Sequence, residues 1–288
     1  MQADQAANVA ISVATSVALL VTVSIGLAVI FGMMRVINLA HGEFLMLGAF
    51  ATLTGVRAGL NIWLAMVVAS LAVGVFGLVV ERALIQHLYG RLADTMLATW
   101  GLSLILVQAV VLIYGPATQG IQTPLSSFSI GRYSFSQYSL VLIGAAVFLL
   151  ALVFGVFTRT RYGIVARAVI QRPQMAASLG VNIKLVNMTT FAFGAALAGA
   201  GGALLAPLAG VVPGMGSAYI ARAFMTVVVG GPGVLTGTSL ASSLLGSIEY
   251  GVSYATTPFF GVGALLIAAI LILRIMPTGL SGRLGRQL

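Results

Sequence analysis

The sequence has no cysteine among its 288 residues. Disulfides, thiol nucleophiles and Cys-ligated metals are therefore excluded. Charge is nearly as scarce: 14 basic and 5 acidic residues make up 7% of the chain, against about 25% in an ordinary soluble domain. So few charges cannot clothe a soluble particle of this size, and soluble enzyme folds are ruled out. The single lysine, Lys184, is preceded by Ile183, so there is no G-x-x-x-x-G-K-[ST] phosphate loop. Lys184 is expected in a loop, which argues against a Schiff base. The acids Glu43, Glu81, Asp94 and Glu249 lie in different segments and offer no close carboxylate pair for general acid–base work. No G-x-S-x-G elbow occurs. His41 has no second His or Cys near it, so no metal site is expected.

What remains is apolar. Hydrophobic residues make up 60% of the chain, and the mean hydropathy is +1.11. Seven stretches carry no Asp, Glu, Lys or Arg: Gln5–Met34, Ala58–Val80, Thr95–Gly131, Tyr133–Thr158, Leu185–Ala221, Ala223–Ile248 and Tyr250–Leu273. Each is long enough for a span, which needs about 20 residues. A transmembrane β-barrel would show ~10-residue segments alternating with a polar lumen face. These runs are apolar on all sides, so helices are the way to satisfy their backbone in lipid. The expected architecture is an all-α polytopic membrane protein with about eight transmembrane helices plus short broken or re-entrant helices. The spans are placed at 9–31, 40–56, 62–80, 95–114, 138–157, 188–208, 233–250 and 259–276, with a shorter helix at 217–229.

The net charge of +9 reads as loop charge that sets topology, not as a nucleic-acid surface. With the N-terminus outside, eleven basic residues fall on the inner side: Arg35, Arg82, Arg91, Arg159, Arg161, Arg167, Arg172, Lys184, Arg274, Arg283 and Arg286. Three fall outside, Arg57, Arg132 and Arg222. The positive-inside rule supports that orientation and puts the tail 277–288 in the cytoplasm. Residues 1–8 lack the basic start of a cleaved signal peptide, so the first span is expected to act as an uncleaved insertion signal. The outer loop 115–137, rich in Ser, Thr, Gln and Pro, suits a lid or a docking ledge. The inner loop 158–187 is the longest basic segment. Within it Pro173 suits the first turn of a short helix, 173–179, closed by Gly180. That shape fits a partner's groove, and equally an ordinary basic loop that only fixes topology.

Two interruptions carry polarity. Phe31–Gly48 holds Arg35, Asn38, His41 and Glu43 in an otherwise apolar region, with Gly32 and Gly42 to loosen the helix. Ionisable groups at membrane depth need partners or water, so the helix is expected to break here. The cluster is either part of a translocation path or gate, or a clamp in which Glu43 pairs with Arg35 or His41. The second interruption, G-G-P-G at 230–233 with Gly230, Gly231 and Gly233, follows a helix too short to span comfortably. Interrupted segments in both halves of a chain point to a transporter's central site; a tight turn between helices is the alternative. In 188–208, small residues recur every fourth position as Ala195, Gly199, Ala203 and as Ala198, Gly202, Ala206, so two neighbours can approach this helix closely. Glu249 is expected at an interface.

The segment FGMMRVINLAHGEFLMLGAF (31–50) resembles the first-half signature of permease subunits of branched-chain amino acid ABC transporters. AFMTVVVGGPGVLTGT (223–238) and RIMPTGLSGR (274–283) look like the same family, and the resemblance runs from about residue 15 to 283. YIARAFMTVVVGGPG (219–233) looks at least as much like the related urea and short-amide branch. The resemblance implies one transmembrane permease domain over 1–288 in the bacterial inner membrane. It also implies a second, homologous permease, two cytoplasmic ATPases that bind the ATP, and an extracytoplasmic binding protein that delivers substrate. No cofactor of the chain's own is implied. The inner loop falls where the family's coupling helix meets an ATPase, with Arg172, Pro173, Met175, Ala176, Ala177 and Gly180 as the contact. Met175-Ala176-Ala177 replaces the acidic Glu-Ala-Ala signature known from other importers. A stand-alone channel and a membrane-embedded enzyme are the rival readings; the first should show a repeated selectivity element, the second clustered acids or metal ligands.

Overall fold

The computed structural model describes residues 2–123, 125–130 and 133–282, and the side chains among them except those of 2–4, 130 and 133. Arg132, Arg283 and Arg286, counted above for topology, lie outside the described residues. The chain is helical almost throughout: α1 Gln2–Met34, α2 His41–Arg57, α3 Ile62–Ala83, α4 Leu92–Tyr114, α5 Gln137–Arg159, α6 Arg161–Gln171, α7 Pro173–Ser178, α8 Ile183–Ala209, α9 Met215–Gly230, α10 Val234–Ala255, α11 Pro258–Ile275 and α12 Gly279–Gly282. Each of the eight expected spans coincides with one of these helices. Six helices are long and apolar enough to cross a membrane alone: α1, α3, α4, α5, α8 and α11, the last counted with its continuation to Gly282. α9 and α10 reach that standard only as a pair bent by 118°, because Ser, Thr and Gly dilute the apolar content of α10. α2, at 17 residues, is just short.

Helix ends follow the local chemistry. Asn61, Thr160 and Asn182 cap α3, α6 and α8, their side-chain oxygens accepting from the backbone N–H of Trp63, Gly163 and Leu185. Each such cap satisfies a donor that the helix itself leaves orphaned. Pro173 and Pro258 open α7 and α11. Lys184 stands in the first turn of α8, not in a loop, because Asn182 starts the helix just before it. The basic segment 158–187 holds two helices where one was expected: α6 precedes α7 across Arg172. The loop 115–137 contains a β-hairpin, β1 Ser127–Ile130 against β2 Tyr133–Ser136, in antiparallel register Phe128 to Phe135. Alternating Ser and aromatic residues give this stretch the period of a strand, a signal that the apolar background hides.

The chain divides into two compact units. One comprises residues 25–121 and 151–220. Its centre is α8, against which α2 and α3 pack. Phe44 of α2 meets Phe76 of α3 and Phe191 of α8 edge-on at 5.9 and 6.0 Å. The small residues of α8 set the closeness. A Cβ on Gly199 would come within 2.7 Å of Val73, one on Gly48 would strike the Gly199 backbone, and one on Gly202 would strike the Leu45 carbonyl. Ala195 faces Gly77, and the backbone of Gly194 and Ala198 faces Gly26. Both small-residue rows thus admit neighbours to backbone contact, where packing holds helices in lipid. Tyr162 on α6 is tied to Thr190 on α8, hydroxyl to hydroxyl at 2.6 Å.

The other unit comprises residues 1–24, 122–150 and 221–288. Its core gathers Leu20, Val229, Ala241, Leu245, Leu265 and Ala269. α10 packs on α11, and Gly246 lets α10 approach Val17 of α1.

Candidate functional site

The first interruption is a real break. α1 stops at Met34, and Arg35 takes a left-handed conformation, φ 52°, the one described non-glycine residue to do so. Its N–H closes the helix on the Phe31 carbonyl at 2.9 Å. The chain then turns on Asn38: the side-chain oxygen accepts from the Ala40 N–H at 3.0 Å, and the backbone carbonyl accepts from His41 N–H. The Leu39 N–H is met from α4 by the Thr99 hydroxyl at 3.1 Å. Non-helical backbone at this depth is tolerated because protein groups satisfy it.

α2 begins directly afterwards, with Glu43 in its first turn, where a carboxylate complements the positive end of the helix dipole. Asn38, His41 and Glu43 are all buried, whereas Arg35 is exposed. The turn therefore gathers three of the four polar residues read from the sequence and leaves the fourth outside. The Glu43 carboxyl lies within hydrogen-bonding reach of Ser103 on α4, and Arg35 is exposed on a left-handed backbone turn. The His41 ring lies against Gly26 of α1. Gly42 and Gly216 touch backbone to backbone, which brings the start of α9 to the start of α2. The Asn38 Nδ2 donor is buried without a partner among the described residues, an unspent hydrogen bond at the heart of the break.

The second interruption is narrower than G-G-P-G. Gly230 still belongs to α9, and Gly231, at φ 80°, makes the turn. Gly233 caps α10. Ser281 of α12 joins both sides: its hydroxyl donates to the Gly230 carbonyl at 2.7 Å and accepts from the Gly233 N–H at 2.9 Å. A buried backbone donor and acceptor freed by the break are thus satisfied by one side chain. Gly230 and Gly237 also meet at backbone distance, which only glycine permits.

Glu249 is buried and paired with Arg222, Nη1 to Oε1 at 3.1 Å. The sequence did carry a signal for this pair: each residue stands alone between charge-free runs, with opposite sign. Ser281, Ser103 and Thr99 gave no such signal, because a hydroxyl in an apolar helix most often bonds its own backbone.

On the basic segment 158–187, Arg172, Pro173, Met175, Ala177 and Gly180 are exposed, and Ala176 is the buried anchor of α7. Gly180, at φ 84°, ends the helix with a pair of back-bonds, Gly180 N–H to Ala177 and Val181 N–H to Ala176. Met175 and Leu179 present apolar surface, 61% and 80% exposed. Nearby, Tyr89 donates to Glu81, tying the turn after α3 back onto that helix. Burial first, and then this carboxylate, push the Tyr89 phenol above its ordinary range.

A multi-helix membrane protein with two interrupted helices, one turned on a buried polar cluster and one stapled by a serine, belongs to the class of polytopic transport proteins. The family model described as "Branched-chain amino acid transport system / permease component" matches residues 9–276. The chain is 31% identical over 285 residues to the high-affinity branched-chain amino acid transport system permease protein BraD of Pseudomonas aeruginosa, covering 91% of each chain. It is 28% identical to the corresponding LivH protein of Escherichia coli, covering 91% of this chain and 90% of that one. To the probable LivH permease of Methanocaldococcus jannaschii it is 26% identical, covering 92% and 89%. No solved structure matches. The chain is a member of the branched-chain amino acid transport permease family.

Proposed function

We propose that this chain is a transmembrane permease subunit of an ABC importer that carries branched-chain amino acids across the bacterial inner membrane. The observation that carries the reading is the family match, which runs through both interruptions and nearly the whole chain. The chain forms one permease domain over 1–288, with its N-terminus outside and its C-terminus in the cytoplasm. It works beside a second, homologous permease. Two cytoplasmic ATPases bind and hydrolyse the ATP, and an extracytoplasmic binding protein delivers the substrate. The chain has no ATPase site and no cofactor of its own; the sequence lacks the phosphate-loop motif.

Residues 172–180 are the ATPase contact. Their support is the exposed, preformed α7 with Met175 and Leu179 outward. Asn38, His41 and Glu43, with Arg35 at the mouth of the turn and Gly230, Gly231 and Gly233 at the other break, form the path or gate. Backbone freed from helical pairing, and the unspent Asn38 donor, are what a polar solute would meet.

Reconstitution tests this. Liposomes carrying the chain with its second permease, ATPases and binding protein should take up leucine only with ATP, and the chain alone should not. ATP-independent uptake by the chain alone would support a channel. Uptake of urea but not leucine by the complete set would replace the substrate.

A further inference from the structure

Nothing above uses the ion pair between α9 and α10. Arg222 and Glu249 are flanked by charge-free sequence at 185–221, 223–248 and 250–273, and they meet as a pair of opposite charges. Such groups are rare inside membrane bundles without a task. The contact uses one carboxylate oxygen. The other, Oε2, is buried and has no hydrogen-bond partner among the described residues. Two turns earlier on the same face of α10, the Ser242 hydroxyl is also buried without a partner. The pair is not sealed: its side chains remain 22% and 12% exposed. A buried ion pair kept for stability is expected to be bidentate, with its remaining lone pairs satisfied; this carboxylate is neither.

The geometry points to Arg222 and Glu249 as the couple that receives the head group of a zwitterionic α-amino acid, its carboxylate on Arg222 and its ammonium on Glu249. This rests on the reading of the chain as an amino-acid permease. The ligand carries both charges on one carbon. It can open the pair and leave two ion pairs in place of one, with charge balanced throughout. Urea or an amide cannot: opening the pair for a neutral solute would strand two buried charges. The couple therefore selects for the zwitterion whatever the side chain, and leaves side-chain choice to other surfaces.

The test begins with the purified chain in detergent, whose thermal unfolding is followed with leucine, leucinamide, 4-methylpentanoate or urea. Leucine should raise the melting temperature; the three that lack one or both charges should not. Glu249→Gln should abolish the leucine shift, and in the complete reconstituted transporter it should raise KM for leucine by about tenfold or more. The swapped double variant, Arg222→Glu with Glu249→Arg, should regain part of the shift. It also keeps the test open if Glu249→Gln does not fold. Equal shifts from leucine and leucinamide, an unaltered shift in Glu249→Gln, or a swapped variant that folds but shows no shift would overturn the assignment. ATP-driven uptake of urea in place of leucine by the unaltered complex would instead overturn the amino-acid reading on which it rests.

Discussion

The two interruptions solve the same problem by different means. The break after α1 is held mainly by shape and backbone. Its flanking helices sit on glycine-to-backbone contacts, Gly26 on Gly194 and Gly48 on Gly199, and its own turn closes on Asn38. The break after α9 has a glycine contact of its own, Gly230 on Gly237, and adds one side chain from 48 residues further along, Ser281. The first cannot open without separating whole helices. The second adds to its glycine contact a hydroxyl that can let go by itself. A helix crossing built on glycine is rigid because no rotamer can yield; a staple is a local contact that a small movement of α12 can release.

Mutations can break or sharpen that contrast. The largest effect should come from Gly202→Val, whose side chain would strike the Leu45 backbone. Overpacking at a backbone contact should cost about 3 kcal/mol or more, read as lost folded yield and a lower melting temperature in detergent. Ser281→Ala comes next. It leaves the Gly233 N–H and the Gly230 carbonyl unpaired in a buried site, at about 2 kcal/mol, and thermal unfolding should detect it. If the staple is what gates the second break, uptake should fall more than stability does. Arg35→Gly should go the other way. It relieves a left-handed non-glycine residue and gains about 1 kcal/mol, so a transport loss in that more stable variant would mark the guanidinium itself as functional. Gly144→Ala is the smallest: a Cβ there meets nothing within 4 Å, and stability should hold or rise by about 0.5 kcal/mol. A cost like that of Gly202→Val would mean that α5 is covered by a partner at that point.

Legibility followed the same division. Helix positions, the break around Asn38, the short helix at 173–178 and the small-residue rows of α8 were readable, because each is a local pattern: charge-free runs, Pro and Gly punctuation, a four-residue repeat. Which helix each glycine row would meet was not readable, since that depends on pairings such as Gly48 with Gly199, far apart in sequence. That Glu43 reaches Ser103 on another helix was not readable either. The pairing of Glu249 was not readable as a local pattern, since its partner Arg222 lies 27 positions away on α9. The β-hairpin was hidden because four-residue strands leave a weak trace beside spans several times longer.

The closure of α7 has one further consequence. With Gly180 and Val181 bonded back onto Ala177 and Ala176, this single turn and a half of helix is already in its final form before anything touches it. In the coupling role proposed above, an ATPase would meet a finished knob and pay no ordering entropy there. Engagement would then be fast and shallow, made and broken with every turnover, as suits a cyclic machine.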